Sequence, residues 1–360
     1  MKKFLTLIFL SSLMAFAMAQ QTKILTAERH NEYGLVYTLP STAFKVEIVA
    51  VKETRLAGPY SKYAKIFTKD SQVIQKNSVE WSIESVKVTP YGIPDSDNRY
   101  LMQLKAGATT FIGVSDDGML LSINRDPELK ETEPTDIVQL EGVRTTGKEY
   151  LEFVNEDFIA AQSSYKQAQL LAEEIMEIRD ARTSLTRGTA ETMPTDGRQL
   201  EIMLASLENQ EKALLNAFTG STWKERVVRT FSFIPDMEGE TVICKLNKTE
   251  GLVEADASSG QPVFASLSAI VEASLPLDSK GEEKKLPKDA VIYCIPGVAD
   301  LTISTNNQVF SKDSYEMSQF GMLFGLNPSI FTDKKEPSYA IFDPATGALK
   351  ELGSVKDSER

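Results

Sequence analysis

Two stretches place a serine three residues ahead of a lysine: Ser163-Ser-Tyr-Lys166 and Ser221-Thr-Trp-Lys224. That is the spacing of a Ser–Lys pair, in which the amine takes the hydroxyl proton. A chain rich in both residue types carries such matches by composition, so neither is read as a catalytic motif. Histidine occurs once, at His30. A zinc site built from several histidines of one chain is thereby excluded, and His30 itself, in a polar segment, reads as a loop side chain. The cysteines, Cys244 and Cys294, fall inside strand-like runs at residues 241–246 and 291–295. An oxidising compartment allows a disulfide between them, and two buried free thiols are the alternative. Spacing does not choose, because a bridge needs Cα atoms within about 7 Å.

Acids are plentiful, 51 in all. Glycoside hydrolysis needs two of them facing each other across a cleft. Asp95-Ser96-Asp97 and Asp116-Asp117 instead read as turn acids. Tyr60 and Tyr63 form an aromatic cluster after Gly58-Pro59. Such rings can stack on a sugar, but at helical spacing they serve packing first. No EF-hand loop, P-loop or Gly-rich dinucleotide turn is present. The sequence therefore points to no catalytic residue, no metal and no cofactor.

Three kinds of element would have to position these residues. Residues 81–88 alternate apolar and polar, the period of a half-buried strand. Residues 35–39 read as a strand ending at Pro40, and 58–67 as a short helix with Pro59 in its first turn. Three segments carry a polar turn closed by glycine between apolar runs, at Gly118, Gly251 and Gly347; these are hairpin signals. The middle changes period. Asn155 opens a helix to about Ser184, with Phe158, Ala161, Tyr165, Ala168, Ala172 and Ile175 on one face. Asp196 with Gln199 starts a second helix, whose apolar face holds Leu200, Met203, Leu204, Leu207, Leu214 and Phe218, with Gly220 past its end. From residue 226 strands return, and 317–324 fits strand or short helix.

The expected fold is α+β: two β-rich domains, the C-terminal one sandwich-like, joined by a central antiparallel helical hairpin packed through Tyr165, Ile175, Leu204, Leu207 and Leu214. The division is a signal peptide at 1–19, an N-terminal β-rich domain at 20–154, the hairpin at 155–220, a sandwich-like domain at 221–353 and a polar tail at 354–360.

The start carries an export pattern. Lys2 and Lys3 precede an apolar run from Phe4 to Met18, and Ala17-Met18-Ala19 supplies the small residues a signal peptidase reads. Cleavage is expected before Gln20. The run is shorter than the ~20 residues of a membrane-spanning helix, and no later stretch is long enough to span. Net charge is −12, which repels phosphate backbones and excludes a nucleic-acid role. Lys284-Lys285 and Lys334-Lys335 are interleaved with acids and read as solvated loops.

Several segments occur together in order: Gly58-Pro-Tyr-Ser-Lys-Tyr-Ala64, Met193-Pro-Thr-Asp-Gly197, Glu211 through Phe218-Thr-Gly220, Ile295-Pro-Gly297 and Gln319-Phe-Gly321. With the signal sequence and the length, they resemble a family of uncharacterised exported proteins of Bacteroides-type bacteria, a domain of unknown function. The resemblance implies a periplasmic or cell-envelope address and transfers no activity. The leading expectation is a non-enzymatic binding or scaffolding protein whose partner is an envelope protein or glycan. The alternative is a carboxylate-dependent hydrolase acting on envelope glycan or peptide.

Overall fold

Turn chemistry and strand period decide most of the local structure. A computed structural model of the protein describes residues 21–24, 34–69, 72–103, 111–127, 138–333 and 335–355. The expected signal peptide at residues 1–19, Gln20, His30 and residues 356–360 lie outside the described residues. The chain is mixed and mostly β, with its strands in three antiparallel sheets. The first sheet has the order β1 (Gln21–Ile24), β3 (Ser78–Gln103), β2 (Leu35–Leu56), β7 (Ser221–Phe233), β6 (Val138–Glu141). The second runs β12 (Val309–Leu326), β11 (Val291–Ser304), β10 (Gln261–Val271), β8 (Gly239–Asn247), β9 (Gly251–Glu254). The third runs β14 (Leu349–Ser354), β13 (Ser338–Phe342), β5 (Leu120–Ile123), β4 (Ile112–Val114).

The three glycine-closed hairpins form as read, β4–β5, β8–β9 and β13–β14. Gly118, Gly251 and Gly347 take φ of 80°, 80° and 70°. Residues 317–324 are strand, within β12.

Pairing departs from the expected division. β7, after the helices, zips onto β2, before them, from Phe44↔Phe233 to Leu56↔Ser221. β13 likewise pairs with β5, Ile341 opposite Ser122. Strands on either side of the middle do not sort into separate sheets, because side-chain period identifies a strand without naming its neighbour. Pro40 does not end β2 either. β7 reaches back only to Phe44, so the missing proline N–H interrupts no ladder on that side, and a register shift between Thr38 and Pro40 absorbs the ring.

The first core fills the space between the first two sheets. Phe44, Val46, Ile48 and Ala50 alternate along one face of β2 and meet Val263, Ala265, Leu267, Leu301, Ile303 and Met317. A second core gathers Tyr37, Met102, Leu120, Ile123, Val291 and Phe342 beneath the third sheet. The Tyr37 hydroxyl both accepts from the Ile292 N–H at 2.9 Å and donates to its carbonyl at 3.2 Å, tying β2 to β11.

The third core is helical. Asn155 caps only a short helix, α2 (Glu156–Ala160), by accepting from the Phe158 N–H. The chain then restarts at Ser163, whose hydroxyl accepts from the Lys166 N–H and caps α3 (Ser164–Arg187). This break rotates the buried stripe to Ala168, Leu171, Ile175, Ile178 and Leu185, so Tyr165 is half exposed and not a core residue. α4 (Gly197–Thr219) starts at Asp196, which accepts from the Gln199 N–H at 2.8 Å. Glu211 of α4 receives Arg179 at 2.6 Å and Arg182 at 2.7 Å from α3.

Only the C-terminal part of α4 is fully covered, by Tyr60, Phe158 and Leu171 around Leu214 and Phe218. Toward its start, Leu200, Leu204 and Leu207 are half-buried. Leu207→Ala is therefore expected to cost about 1 kcal/mol and Leu214→Ala about 2–5 kcal/mol. Equal shifts of the urea midpoint for the two variants would contradict this burial gradient.

Candidate functional site

The chemistry-capable residues of the sequence are mostly committed to structure. Ser163 Oγ is the α3 cap, 3.2 Å from the Lys166 amide. Ser221 Oγ lies 2.6 Å from Thr145 Oγ1 at the start of β7. Lys224 is three positions further along the same strand, so the two side chains leave opposite faces and no Ser–Lys pair forms. Lys224 faces Glu53 instead, at 3.8 Å.

Tyr60 is buried against Tyr150, Phe158 and Phe218 with ring centroids 5.8–6.2 Å apart, and its hydroxyl donates to Gln167 Oε1 at 3.1 Å. Burial pushes its phenol above the ordinary range. Tyr63 packs on Phe67 and Tyr165, its hydroxyl 3.0 Å from Ser164 Oγ. The pair thus joins helix α1 (Ala64–Phe67) to the third core. Asp95 and Asp97 are not turn acids: they lie within β3, where a register shift leaves residues 95–98 without strand partners and Asp95 accepts from the Asp97 N–H and the Asn98 amide. Asp116 and Asp117 occupy the β4–β5 turn.

Cys244 and Cys294 are both buried free thiols. β10 pairs Val263 with Cys244 and Phe264 with Ser304. Cys294 lies about ten residues back along β11, roughly 30 Å at strand rise, far beyond the ~7 Å a bridge allows. Burial pushes Cys244 up to about 12, with Glu254 adding to the effect, and Cys294 up to about 11. Both are therefore protonated at pH 8. A thiol reagent at that pH is expected to leave the folded chain unlabelled and to label both residues after denaturation. Rapid labelling of the native chain would overturn their burial.

Convergent polar groups appear elsewhere. Trp81 sits on β3 where that strand has β2 on one side only, since β1 pairs with the far end at Tyr100–Gln103. Its face of the sheet is the one that carries Phe44 to Ala50, so the ring lies at the margin of the first core. The β8–β9 hairpin closes over it. Gly251 approaches so closely that a Cβ there would stand 2.9 Å from ring carbons. With φ of 80° and no room for a side chain, only glycine fits. Lys52, paired with Glu225 at 3.5 Å, holds its Nζ 5.9 Å from the indole centroid.

Beside this ring opens a cleft of about 410 Å³, lined by Trp81, Leu246, Asn247, Lys248, Ser259, Gly260 and Gln261. The indole N–H is buried and has no hydrogen-bond partner. Asn247 is used up by the fold: it donates to Ser259 Oγ at 2.9 Å and accepts from the Thr249 N–H and hydroxyl at 2.8 Å. Ser259 accepts in that bond and keeps its O–H. Lys248 and Gln261 make no side-chain hydrogen bond or ion pair with the described residues.

Three other concavities differ in character. A recess of about 520 Å³ between α3 and α4 is apolar, floored by Leu185, Met203 and Leu207. A cleft of about 430 Å³ on the third sheet is bordered by Arg125, Lys350 and Glu351, the first and last paired at 3.1 Å. One of about 350 Å³ lies among Ser41, Asp95, Cys294 and Gln319. Among the described residues no group of three His, Cys, Asp or Glu side chains is placed to hold a metal ion. Among the described residues no helix is long and apolar enough to cross a membrane.

Sequence reasoning read residues 81–88 as a strand but gave Trp81 no role. Its cleft is built with residues more than 160 positions away, and only the packing of two sheets brings them together. The architecture is thus a mostly antiparallel β protein with an indole-walled cleft at the margin of its main core. A family model for a domain of unknown function, DUF4831, matches residues 33–350, and the chain belongs to that family. No curated protein and no solved structure matches it.

Proposed function

We propose that this chain is a non-enzymatic binding protein of the bacterial cell envelope, exported by the signal at residues 1–19, and that its ligand seats in the Trp81 cleft. The lining of that cleft carries the reading. It offers an ammonium, a hydroxyl and a primary amide beside the indole ring, and it holds no carboxylate. A two-acid hydrolase needs both acids in one cleft, one of them raised. Among the described residues the carboxyl raised by its surroundings is Glu174 on α3, through burial and then Glu177, and it borders none of the four clefts. In this reading α3 and α4 form an antiparallel hairpin beside the sheets, supported by the Arg179 and Arg182 contacts to Glu211 and by the recess that Leu185 and Met203 line together.

The test treats the exported chain with serine- and cysteine-directed probes and measures its mass and bound zinc. Unlabelled protein beginning at Gln20, without stoichiometric zinc, is expected. Stoichiometric labelling of one serine would overturn the non-enzymatic reading, and residues 1–19 still attached would overturn the processing.

A further inference from the structure

We propose that the Trp81 cleft recognises an acidic sugar, a pyranose carrying a carboxylate. This rests on the reading above that the cleft is a binding site, and it names the ligand class. The free groups are lopsided. The Lys248 ammonium, the Ser259 O–H and the Gln261 NH2 donate, while the side-chain acceptors are the Gln261 carbonyl and the remaining Ser259 lone pair. Such a set calls for an acceptor-rich partner. Lys248 is the one charged residue in the lining, and Glu250, two positions on, is not part of it. A carboxylate is acceptor-only and answers the ammonium with a charge-assisted hydrogen bond.

The walls select a ring over a simple anion. The lining combines apolar surface, from Leu246 and the indole, with the polar groups of Lys248, Ser259 and Gln261. A pyranose has the same combination, C–H groups on one face and hydroxyls at its edge. A volume of about 410 Å³ is ample for one or two such rings. The site is also rigid. Gly251 and Lys52 fix the indole, and Asn247 bonds both to its own turn and to Ser259. Little ordering then remains to oppose binding.

The chain has two tryptophans, so in a Trp223→Phe variant all indole emission comes from Trp81. Trigalacturonate is expected to shift that emission saturably, and maltotriose to bind at least about tenfold more weakly. Lys248→Gln should weaken trigalacturonate roughly tenfold or more, the loss of one charge-assisted hydrogen bond, without changing thermal stability, since Lys248 is exposed. Trp81→Phe, which narrows the aromatic wall, should weaken it as well. Calorimetry on the unaltered chain gives the same ranking without relying on the Trp223 variant.

No heat from either trigalacturonate or sialyllactose overturns the proposal. So does binding that Lys248→Gln and Trp81→Phe both leave unchanged. Equal binding of acetyl-triglycine, a carboxylate with no sugar, overturns the ligand class while leaving the binding reading intact. Release of shorter sugars from trigalacturonate instead overturns the non-enzymatic reading.

Discussion

Phe44→Ala is expected to destabilise the protein by about 3–5 kcal/mol. Phe44 is fully buried on β2, where that strand is flanked by β3 and β7 and faces the second sheet. Its ring stacks on Phe233 at 5.7 Å and meets Tyr315 edge-on at 5.1 Å. Truncation removes apolar area and leaves a cavity between two sheets that are each held by their own ladders, so the walls relax little. Urea unfolding of the variant beside the parent measures the effect. A loss below about 1 kcal/mol would be incompatible with a closely packed interface between these sheets.

The second large effect is expected at Gln319. Its Nε2 donates to the Thr42 carbonyl at 2.6 Å and to the Pro235 carbonyl at 3.0 Å. Its Oε1 accepts from the Thr42 N–H at 3.2 Å and the Ser318 hydroxyl at 3.3 Å. Thr42 is fully buried, and its hydroxyl also donates to the Ala345 carbonyl at 3.0 Å. One amide thus pins the edge strand β12 to β2 and to the segment after β7. Gln319→Leu strands two carbonyls, at roughly 1–3 kcal/mol for each that water cannot reach. The total expected is about 2–4 kcal/mol, since the Thr42 N–H retains the Ser318 hydroxyl at 3.0 Å. Gln319→Glu keeps the shape but not the donor and should lose stability too. If both variants unfold at the parent's urea midpoint, the seam contributes nothing.

What was legible in the sequence was local. Gly118, Gly251 and Gly347 announce their hairpins because a four-residue turn needs its glycine whatever the rest of the chain does. Asp196 and Gly220 bracket α4 for the same reason. Stripe and partner were harder. Tyr165 fits a continuous helical period from Phe158, but the cap at Ser163 restarts the helix and turns that ring outward. The zipping of β7 onto β2 leaves no trace in either strand's alternation. The Trp81 cleft depends on which hairpin settles over β3, and nothing near Trp81 in the sequence records that Gly251 will lie on its ring.

The pairing of Ser122 with Ile341 has a kinetic consequence. During synthesis β4 and β5 emerge early, yet their sheet stays incomplete until nearly the whole chain is made. β2 waits in the same way for β7. With β7 and β13 so distant along the chain from β2 and β5, loop closure must precede those pairings, and folding should be slow and late. No N-terminal fragment that ends before β7 has a complete sheet to fold into. That delay suits the proposed export, because a polypeptide threaded through a membrane channel must remain unfolded until its last strands are across.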